Sequence, residues 1–399
     1  MSIETLTRTI LHKMTGIGKV QSEFFVNLVL QWLRLRGRYT FKSLFRQGFL
    51  SAVSYRSQFS KGFDFKVFNQ LLVEEHSGLE RLWVFDPTYL SKAGKHTYGL
   101  GYFWSGCAQA VKRGLELSAL SIVDVVNHTA FHYQATQTVL ASQQSLLTFY
   151  TQLIVKQAAA LIPLSKYLAV DAYFAKYEFL QAVTESGLKV ITRLRDDAAL
   201  WYGYLGAKST AKGRPKQFAG KVDCRNLDQA YFRPCIQEVN WRAYEACLYS
   251  KSLKRWLKVV IVHAYQGDGS IKTCKIFAST DTTLTGMDLW YYYHLRFQAE
   301  FLYRDAKQFL GLTHCQSRQE NRLNFHFNFS LTLLSLAKVA HWLSKPLAER
   351  GSFSIQDIKT TYCNQHMLDS FIEGFGICPI TAKNNPLYRK LVDYAKIAA

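Results

Sequence analysis

The amino-acid sequence predicts an α/β protein in which a mixed sheet is flanked by helices. Short apolar segments with the character of strands alternate with helical segments from Arg81 to Arg195, and helical segments precede and follow this region. Hydrophobic residues make up 48% and charged residues 20% of the chain, which is typical of a globular protein. With 399 residues the chain is long enough for one large domain or for two to three ordinary ones.

The order of the elements is the main support for this fold class. Three strand-like segments, LWVFDP, YGLGYFWSGCAQAV and LELSALSIVDVV, precede a helical stretch from Gln143 to Leu161. The chain continues with the strand YLAVDAYF, a helix from Lys176 to Ser186 and the strand LKVITRLR. Three sequential strands followed by alternating helix and strand predict a mixed sheet. This order resembles the ribonuclease-H-like fold, in which acidic residues lie on the first and fourth strands.

Shifts in pattern along the chain predict four regions. We expect residues 1–78 to form a helical DNA-binding domain. Residues 79–195 and 286–345 are predicted to form a ribonuclease-H-like catalytic core, and residues 196–285 a β-rich insertion within it. A helical region is expected over residues 346–399.

Two short helices in the N-terminal region fit a helix-turn-helix. Thr40 is positioned to cap the helix FKSLFRQ, which ends at Gly48, and a second helix is predicted over Val53 to Ser60. The pair carries Arg46 and Arg56, which would then contact DNA. An ordinary three-helix unit with solvated cations fits the same pattern, so both interpretations remain open.

The charge balance favours nucleic acid as a partner. Lysine and arginine total 49 against 29 acidic residues, which gives a net charge of +20 and favours an anionic polymer. An anionic membrane is the rival, but no lipidation motif or secretory leader is visible. The apolar stretch from Phe325 to Leu343 is interrupted by polar residues, which predicts a buried helix rather than a membrane span.

The cysteines indicate a cytoplasmic protein. The 8 cysteines are scattered and form no CxxC pair. We expect free, mostly buried thiols in a reducing cytosol, with neither a disulfide framework nor a zinc site.

The most specific pattern lies in a predicted helix that begins near Asp288. Tyr293, Arg296, Glu300 and Lys307 follow the spacing Y-x2-R-x3-E-x6-K, and at about 100° per residue they fall within an arc of about 60°. Arg304 lies close to the same arc. One carboxylate, three cations and a tyrosine make a poor core stripe but suit a metal-bound phosphate substrate.

Asp86 and Asp171 are the candidate partners of Glu300. Each is predicted at the end of an apolar strand, where a carboxylate must be paired, hydrogen-bonded or bound to metal. Oxygen ligands of this kind select magnesium or manganese over zinc. Taken singly, Asp86 before Pro87 fits a turn, Asp171 fits a helix cap, and Glu300 fits a surface pair with Arg304.

The three segments FDPTYLSKAG, YLAVDAYF and YYYHLRFQAEFLYRDAK resemble the DDE transposases of bacterial insertion sequences. The Y-R-E-K spacing is similar to that of the insertion-sequence-four group, and the resemblance extends from Arg81 to Ser344. It implies that Asp86, Asp171 and Glu300 are catalytic and hold two Mg²⁺ ions, for which Mn²⁺ can substitute.

The resemblance also implies a reaction and a partner. The reaction is cut-and-paste movement of DNA through a hairpin at the element end and strand transfer into target DNA. The partner is double-stranded DNA, both as terminal inverted repeats and as target. A homodimer would bind the paired ends of the element, and the protein would be bacterial and nucleoid-associated. Tyr293, Arg296 and Lys307 would hold the DNA backbone near a flipped base.

Further cations are candidate DNA contacts. They are Arg304 on the motif helix, Lys212, Arg214 and Lys216 in a basic loop, and Lys254 and Arg255 beside Trp256. A solvated loop is an equally good interpretation of the segment that contains Lys212, Arg214 and Lys216. Two other functions remain open: a catalytically inactive, transposase-derived DNA-binding protein, and a metal-dependent nuclease without strand transfer.

Overall fold

The computed structural model describes residues 1–48, 50–206, 215–346 and 349–397. In this part of the chain a twelve-stranded mixed sheet lies among thirteen helices, which confirms the predicted α/β class. The strands are β1 Arg81–Ser91, β2 Gly101–Ser105, β3 Ala110–Asp124, β4 Thr129–Gln137, β5 Tyr167–Ala169, β6 Lys189–Leu194, β7 Leu200–Gly203, β8 Phe218–Lys221, β9 Arg233–Gln237, β10 Trp241–Ser250, β11 Arg255–Tyr265 and β12 Ile271–Ser279.

Five helices form the N-terminal region. They are α1 Ile3–Lys13, α2 Lys19–Arg34, α3 Phe41–Gln47, α4 Ala52–Ser60 and α5 Phe65–His76. The Thr40 hydroxyl caps α3 by accepting a hydrogen bond from the Ser43 amide, and α3 ends at Gly48, as predicted. Thus local sequence signals set both ends of this short helix.

Strands β4, β3, β1, β5 and β6 lie side by side in that order. Pairings among β4, β3 and β1 are antiparallel, and those of β5 with β1 and β6 are parallel. Helix α6 Leu146–Leu161 leads from β4 to β5, and helix α7 Tyr177–Glu185 connects the parallel strands β5 and β6. This mixed order is consistent with the ribonuclease-H-like arrangement expected from the sequence.

Two strand predictions need correction. Strand β1 does not end at the carboxylate of Asp86 but continues to Ser91, because β3 pairs with it along its whole length. Pro87 is tolerated because β5 pairs with β1 only at Trp83 and Val84. The segment YGLGYFWSGCAQAV is not one strand but β2, a turn and the start of β3.

Strand β4 is absent from the sequence prediction. Its segment TAFHYQATQ alternates apolar and polar residues from Phe131 to Thr136, so the pattern of a half-buried strand is present in the sequence. The strand forms because β3 pairs with one edge and helix side chains satisfy the other. Its stability therefore depends on contacts that are distant in sequence.

Strands β7 to β12 fill the region predicted to be a β-rich insertion. Strand β12 pairs with β6 and β11, so these strands extend the same sheet. The remaining helices follow: α8 Gly286–Leu295, α9 Phe297–Phe309, α10 Glu320–Ser344, α11 Ile355–Gly374, α12 Pro379–Asn384 and α13 Pro386–Val392. Helix α10 is buried from Phe325 to Val339, as predicted. None of the described helices has the combination of length and apolar character that crossing a membrane requires.

The cysteines only partly follow the prediction. All eight are free, as expected, but the prediction that most are buried is wrong. Only Cys274, Cys315 and Cys363 are buried, whereas Cys107 lies exposed in the turn between β2 and β3 and Cys378 lies exposed before α12. Cys247 is also exposed, on β10, so neither loop placement nor strand placement alone predicts burial.

Candidate active site

The register of β1 and β5 brings two carboxylates to the same level of the sheet. Val84 pairs with Ala169 in the parallel ladder, and Asp86 and Asp171 each follow two residues later. Asp86 lies in the middle of β1 opposite Ala119, and Asp171 lies just beyond the end of β5. The two side chains therefore meet where β1 continues and β5 ends.

Asp171 also caps a turn. One carboxylate oxygen accepts a hydrogen bond from the Tyr173 amide at 3.0 Å, at the start of a single 3-10 turn over Ala172–Phe174. The Thr192 hydroxyl on β6 donates to the backbone oxygen of Asp171 at 2.8 Å. The capping interpretation is thus confirmed, and the cap fixes the carboxylate beside Asp86 rather than removing it from the site.

Glu300 lies on α9, and the motif helix differs from the prediction of one continuous helix. The chain forms two helices, α8 and α9, that meet at Arg296. The Arg296 amide bonds to the Tyr293 oxygen at 3.2 Å, a tightened i to i−3 pattern that interrupts the regular helix. The four motif residues still face the same part of the site.

Arg296 lies between two of the carboxylates. Its guanidinium donates to Oε1 of Glu300 at 2.7 Å and lies 3.7 Å from Oδ1 of Asp86. The Arg296 side chain is only 9% exposed, so these charges interact in a poorly solvated environment. Arg296 is therefore the counter-charge of the site in this arrangement.

The carboxylates strongly influence each other's ionisation. Burial, together with the negative charges of Asp171 and Glu300, raises the pKa of Asp86 to about 7, although Arg296 opposes the shift. Burial also raises the pKa of Asp171, against its bonds to backbone amides and the charge of Arg296. Such crowding of acidic groups favours the binding of further positive charge.

The donor set fits a divalent metal ion. Asp86, Asp171 and Glu300 offer only hard carboxylate oxygens, the ligands that Mg²⁺ and Mn²⁺ prefer. Within the described ranges, however, no three His, Cys, Asp or Glu side chains lie close enough together to hold one ion. At the candidate site, the three carboxylates are not gathered around one point because Glu300 is turned toward Arg296.

Lys307 and Tyr293 complete the surroundings of Asp86. The Lys307 ammonium donates to the Thr88 hydroxyl at 2.7 Å and to the Tyr89 oxygen at 3.1 Å. Burial lowers the pKa of Lys307, and Asp86 partly offsets this effect. The Tyr293 ring packs against Phe277 with centroids 4.8 Å apart, and the Arg296 guanidinium lies 5.9 Å from its ring centre.

A family model described as transposase DDE domain matches residues 124–336, which is more than half of the chain. The chain belongs to the DDE transposase family. The matched segment contains Asp171, Glu300 and the Y-R-E-K residues, whereas Asp86 lies before it. A search of curated proteins found no match.

The other predicted DNA contacts of this transposase lie away from the carboxylates or outside the described residues. Arg304 is exposed and pairs with Asp305, and the terminal nitrogens of Arg255 donate to residues of α7. Lys216 and Lys254 lie over the rings of Tyr204 and Tyr177. Arg46 is exposed on α3, and Arg56 lies over Phe41, whereas Lys212 and Arg214 fall outside the described residues.

Three other acidic residues that follow or lie in strands have structural roles in the transposase. The buried Asp124 accepts hydrogen bonds from the Gly78 and Asn127 amides at 2.7 and 2.9 Å. Asp196 and Asp197 form surface ion pairs with Arg193 and Arg195. These contacts give each carboxylate a structural explanation.

Two residues near the site escaped the sequence interpretation. Thr88, which binds Lys307, lies two residues after Asp86 and therefore on the same face of β1. Tyr303 is buried on α9, one helical turn after Glu300, where burial and the charge of Asp86 raise its pKa. Both could have been found from the sequence. The two-residue period of a strand, counted from Asp86, leads to Thr88, and one helical turn, counted from Glu300, leads to Tyr303.

Proposed function

We propose that this protein moves DNA by a cut-and-paste reaction, cleaving at terminal inverted repeats and joining the cut ends to target DNA. The observation that carries the proposal is the β1–β5 register, which places Asp86 beside Asp171, with Glu300 on the adjoining α9. Three carboxylates that surround Arg296, from β1, from just beyond the end of β5 and from α9, suit phosphodiester chemistry better than any structural role.

Asp86, Asp171 and Glu300 would hold two Mg²⁺ ions, with Mn²⁺ able to substitute. Bound there, the metal supplies activation of a water or 3′-hydroxyl nucleophile and stabilises the leaving oxygen. Arg296 neutralises Asp86 and Glu300 in the arrangement described above. A guanidinium released from Glu300 is positioned to bind a DNA phosphate through paired hydrogen bonds.

We also propose that the protein belongs to the insertion-sequence-four-like group and that it cleaves DNA through a hairpin at the element end. Tyr293 and Lys307 would hold the DNA backbone beside the carboxylates, because both lie next to Asp86 or Arg296. We further propose that residues 1–78 and the basic residues around Lys216 and Lys254 contact DNA, and that a homodimer acts on paired ends.

The test is incubation of the purified protein and Mg²⁺ with a labelled duplex that carries the element end, followed by a denaturing gel. Asp86→Ala, Asp171→Ala and Glu300→Ala should each abolish nicked, hairpin and joined products while DNA binding persists, since each removes a metal ligand. Asp196→Ala, an exposed acidic residue outside the site, is the matched control and should cut normally. Undiminished cleavage by any of the three site variants would refute the assignment.

One observation favours a second candidate function. Because Glu300 pairs with Arg296 and the described residues contain no ready metal cluster, a DNA-binding protein without catalysis also fits. Stable DNA binding with no cut product in Mg²⁺ or Mn²⁺ would support this alternative. Cut products without joined target DNA would instead identify a nuclease.

A further inference from the structure

A cleft lies between the N-terminal helices and the segment that connects α9 to α10. Its volume is about 400 Å³, which is in the range of ligand-binding pockets. One wall is formed by the start of α3 and by Arg56 on α4, and the other by residues 315–319 and Arg322. The cleft is separate from the three carboxylates of the candidate active site.

The charge of the cleft is entirely positive. Lys42, Arg56, Arg318 and Arg322 line it, and no Asp or Glu is among the described lining residues. Within the described part of the chain, none of these four cations forms an ion pair. Four uncompensated cations around one cavity are poorly explained by fold stability, because like charges repel each other.

Two of the cations are held in place. Arg322 donates through Nε to the Arg56 backbone oxygen at 3.1 Å and to the Ser60 hydroxyl at 2.8 Å. Its terminal nitrogens have no partner among the described residues. The Arg56 guanidinium lies 6.0 Å from the centre of the Phe41 ring. Preorganised guanidinium groups of this kind suit a phosphate group.

The cleft is connected to the strand that carries Asp86. The Lys92 ammonium, one residue beyond the end of β1, donates to the backbone oxygen of Cys315, which lines the cleft. Lys92 follows Asp86 by six residues, or roughly 20 Å at the rise of a strand. That distance corresponds to about six nucleotide steps of duplex DNA, so one duplex can span both places.

We propose that this cleft binds the phosphodiester backbone of the same DNA duplex that enters the active site. Lys42 and Arg318 bind phosphates from the two exposed rims, and Arg56 and Arg322 bind deeper in the cleft. The proposal rests on the proposed function for the identity of its ligand, but it assigns a site that the Y-R-E-K motif does not include.

The test is fluorescence anisotropy of a labelled mixed-sequence 30-base-pair duplex over a range of KCl concentrations. Lys42 and Arg318 are exposed, and their side chains form no hydrogen bond or ion pair with other described residues, so the Lys42→Gln/Arg318→Gln variant should keep its fold. Loss of two phosphate contacts should lower the slope of log K against log [KCl] by about 2. The matched control is Lys156→Gln/Arg389→Gln, which removes an exposed lysine and an exposed arginine elsewhere and should leave the slope unchanged.

Equal reductions of the slope by both double variants would overturn the proposal, because they would indicate an effect of net charge alone. An unchanged slope in the cleft variant would also overturn it. If that variant kept its DNA affinity but lost calorimetric binding of inorganic phosphate, the cleft would be a site for free oxyanions instead. Cleavage by the wild type is measured separately. If the wild type cuts DNA but the slope of the cleft variant is unchanged, the cleft proposal fails and the proposed function stands.

Discussion

At the scale of single residues, the pairing of Arg296 with two carboxylates governs the candidate site. Asp86 is largely enclosed in the sheet, whereas the Glu300 side chain is 43% exposed and can change partner more easily. The Arg296 guanidinium contacts both in the arrangement described here. Positive charge from Arg296 and positive charge from a metal are therefore expected to compete for the same oxygens.

The ionisation of Asp86 predicts a pH dependence of stability in metal-free protein. Its pKa is raised to about 7 by burial, so the folded state holds a proton that the unfolded state releases near pH 4. Stability from this group is fully present below about pH 4 and is lost as the pH rises to about 7. The loss is at most about 4 kcal/mol.

Asp86→Asn should therefore be more stable than the wild type at pH 8 in EDTA, and the difference should shrink toward pH 4. Urea unfolding at both pH values measures it. The same pH dependence in both proteins would show that Asp86 is not the titrating group. Added Mg²⁺ should stabilise only the wild type, because the asparagine variant lacks a charged ligand.

Removal of Arg296 should have opposite effects on folding and on metal binding. Arg296→Gln leaves Asp86 and Glu300 without their counter-charge, which should lower the unfolding free energy in EDTA by about 3 kcal/mol. The same change should tighten Mg²⁺ binding several-fold in calorimetry at pH 8. The control, Arg304→Gln, removes an exposed arginine paired with Asp305 and should alter neither quantity. Weaker Mg²⁺ binding by Arg296→Gln would exclude competition between the guanidinium and the metal.

At the scale of elements, α10 and α5 complete the free edge of β4. Lys338 on α10 donates to the Ala130 oxygen, the Ser335 hydroxyl accepts from the His132 amide, and Asn69 on α5 donates to the Tyr133 oxygen. Asn328 on α10 both accepts from and donates to the backbone of Ala135. Polar residues within a buried helix thus replace the neighbouring strand that β4 lacks.

Asn328→Leu tests this interpretation of α10. The asparagine bonds are 2.8 and 2.9 Å long, and the leucine would leave the Ala135 amide and carbonyl buried without partners. The expected cost is about 2–4 kcal/mol in urea unfolding. The control is Asn27→Leu, since Asn27 is exposed and bonds only within its own helix. Similar stabilities of the two variants would show that the edge of β4 does not depend on Asn328.

At the scale of the whole molecule, the predicted regions share one core. Phe25 on α2 packs against Phe329 on α10 with ring centroids 5.3 Å apart, and Trp32 donates to the Leu310 oxygen at 2.9 Å. The strands of residues 196–285 continue the central sheet through β12. The regions proposed to contact DNA are therefore built onto the same framework as the carboxylates, and the cleft lies where two of these regions meet.

The fold class and the identities of the candidate site residues could largely be predicted from the sequence. The Thr40 cap, the ends of α6 and α7, and the buried character of α10 follow from periodicity and end signals within a few residues. The Y-R-E-K spacing identified the helix face that adjoins Asp86. Strand β4 was missed although its residues alternate from Phe131 to Thr136, and the break at Arg296 was missed although it rests on a local i to i−3 bond. The length of β1 was missed because it is set by pairing with β3, which follows later in the chain.

The sequence by itself thus determined most of the elements and which charged residues have no ordinary place in a core. Only the tertiary structure decided which charged groups lie together. A strand register brings Asp86 beside Asp171, Glu300 forms an ion pair with Arg296, and four cations line one cleft. The physical reason is that periodicity and capping are local properties of the chain. The partner of a side chain, and hence its ionisation, is instead fixed by residues that packing brings near it.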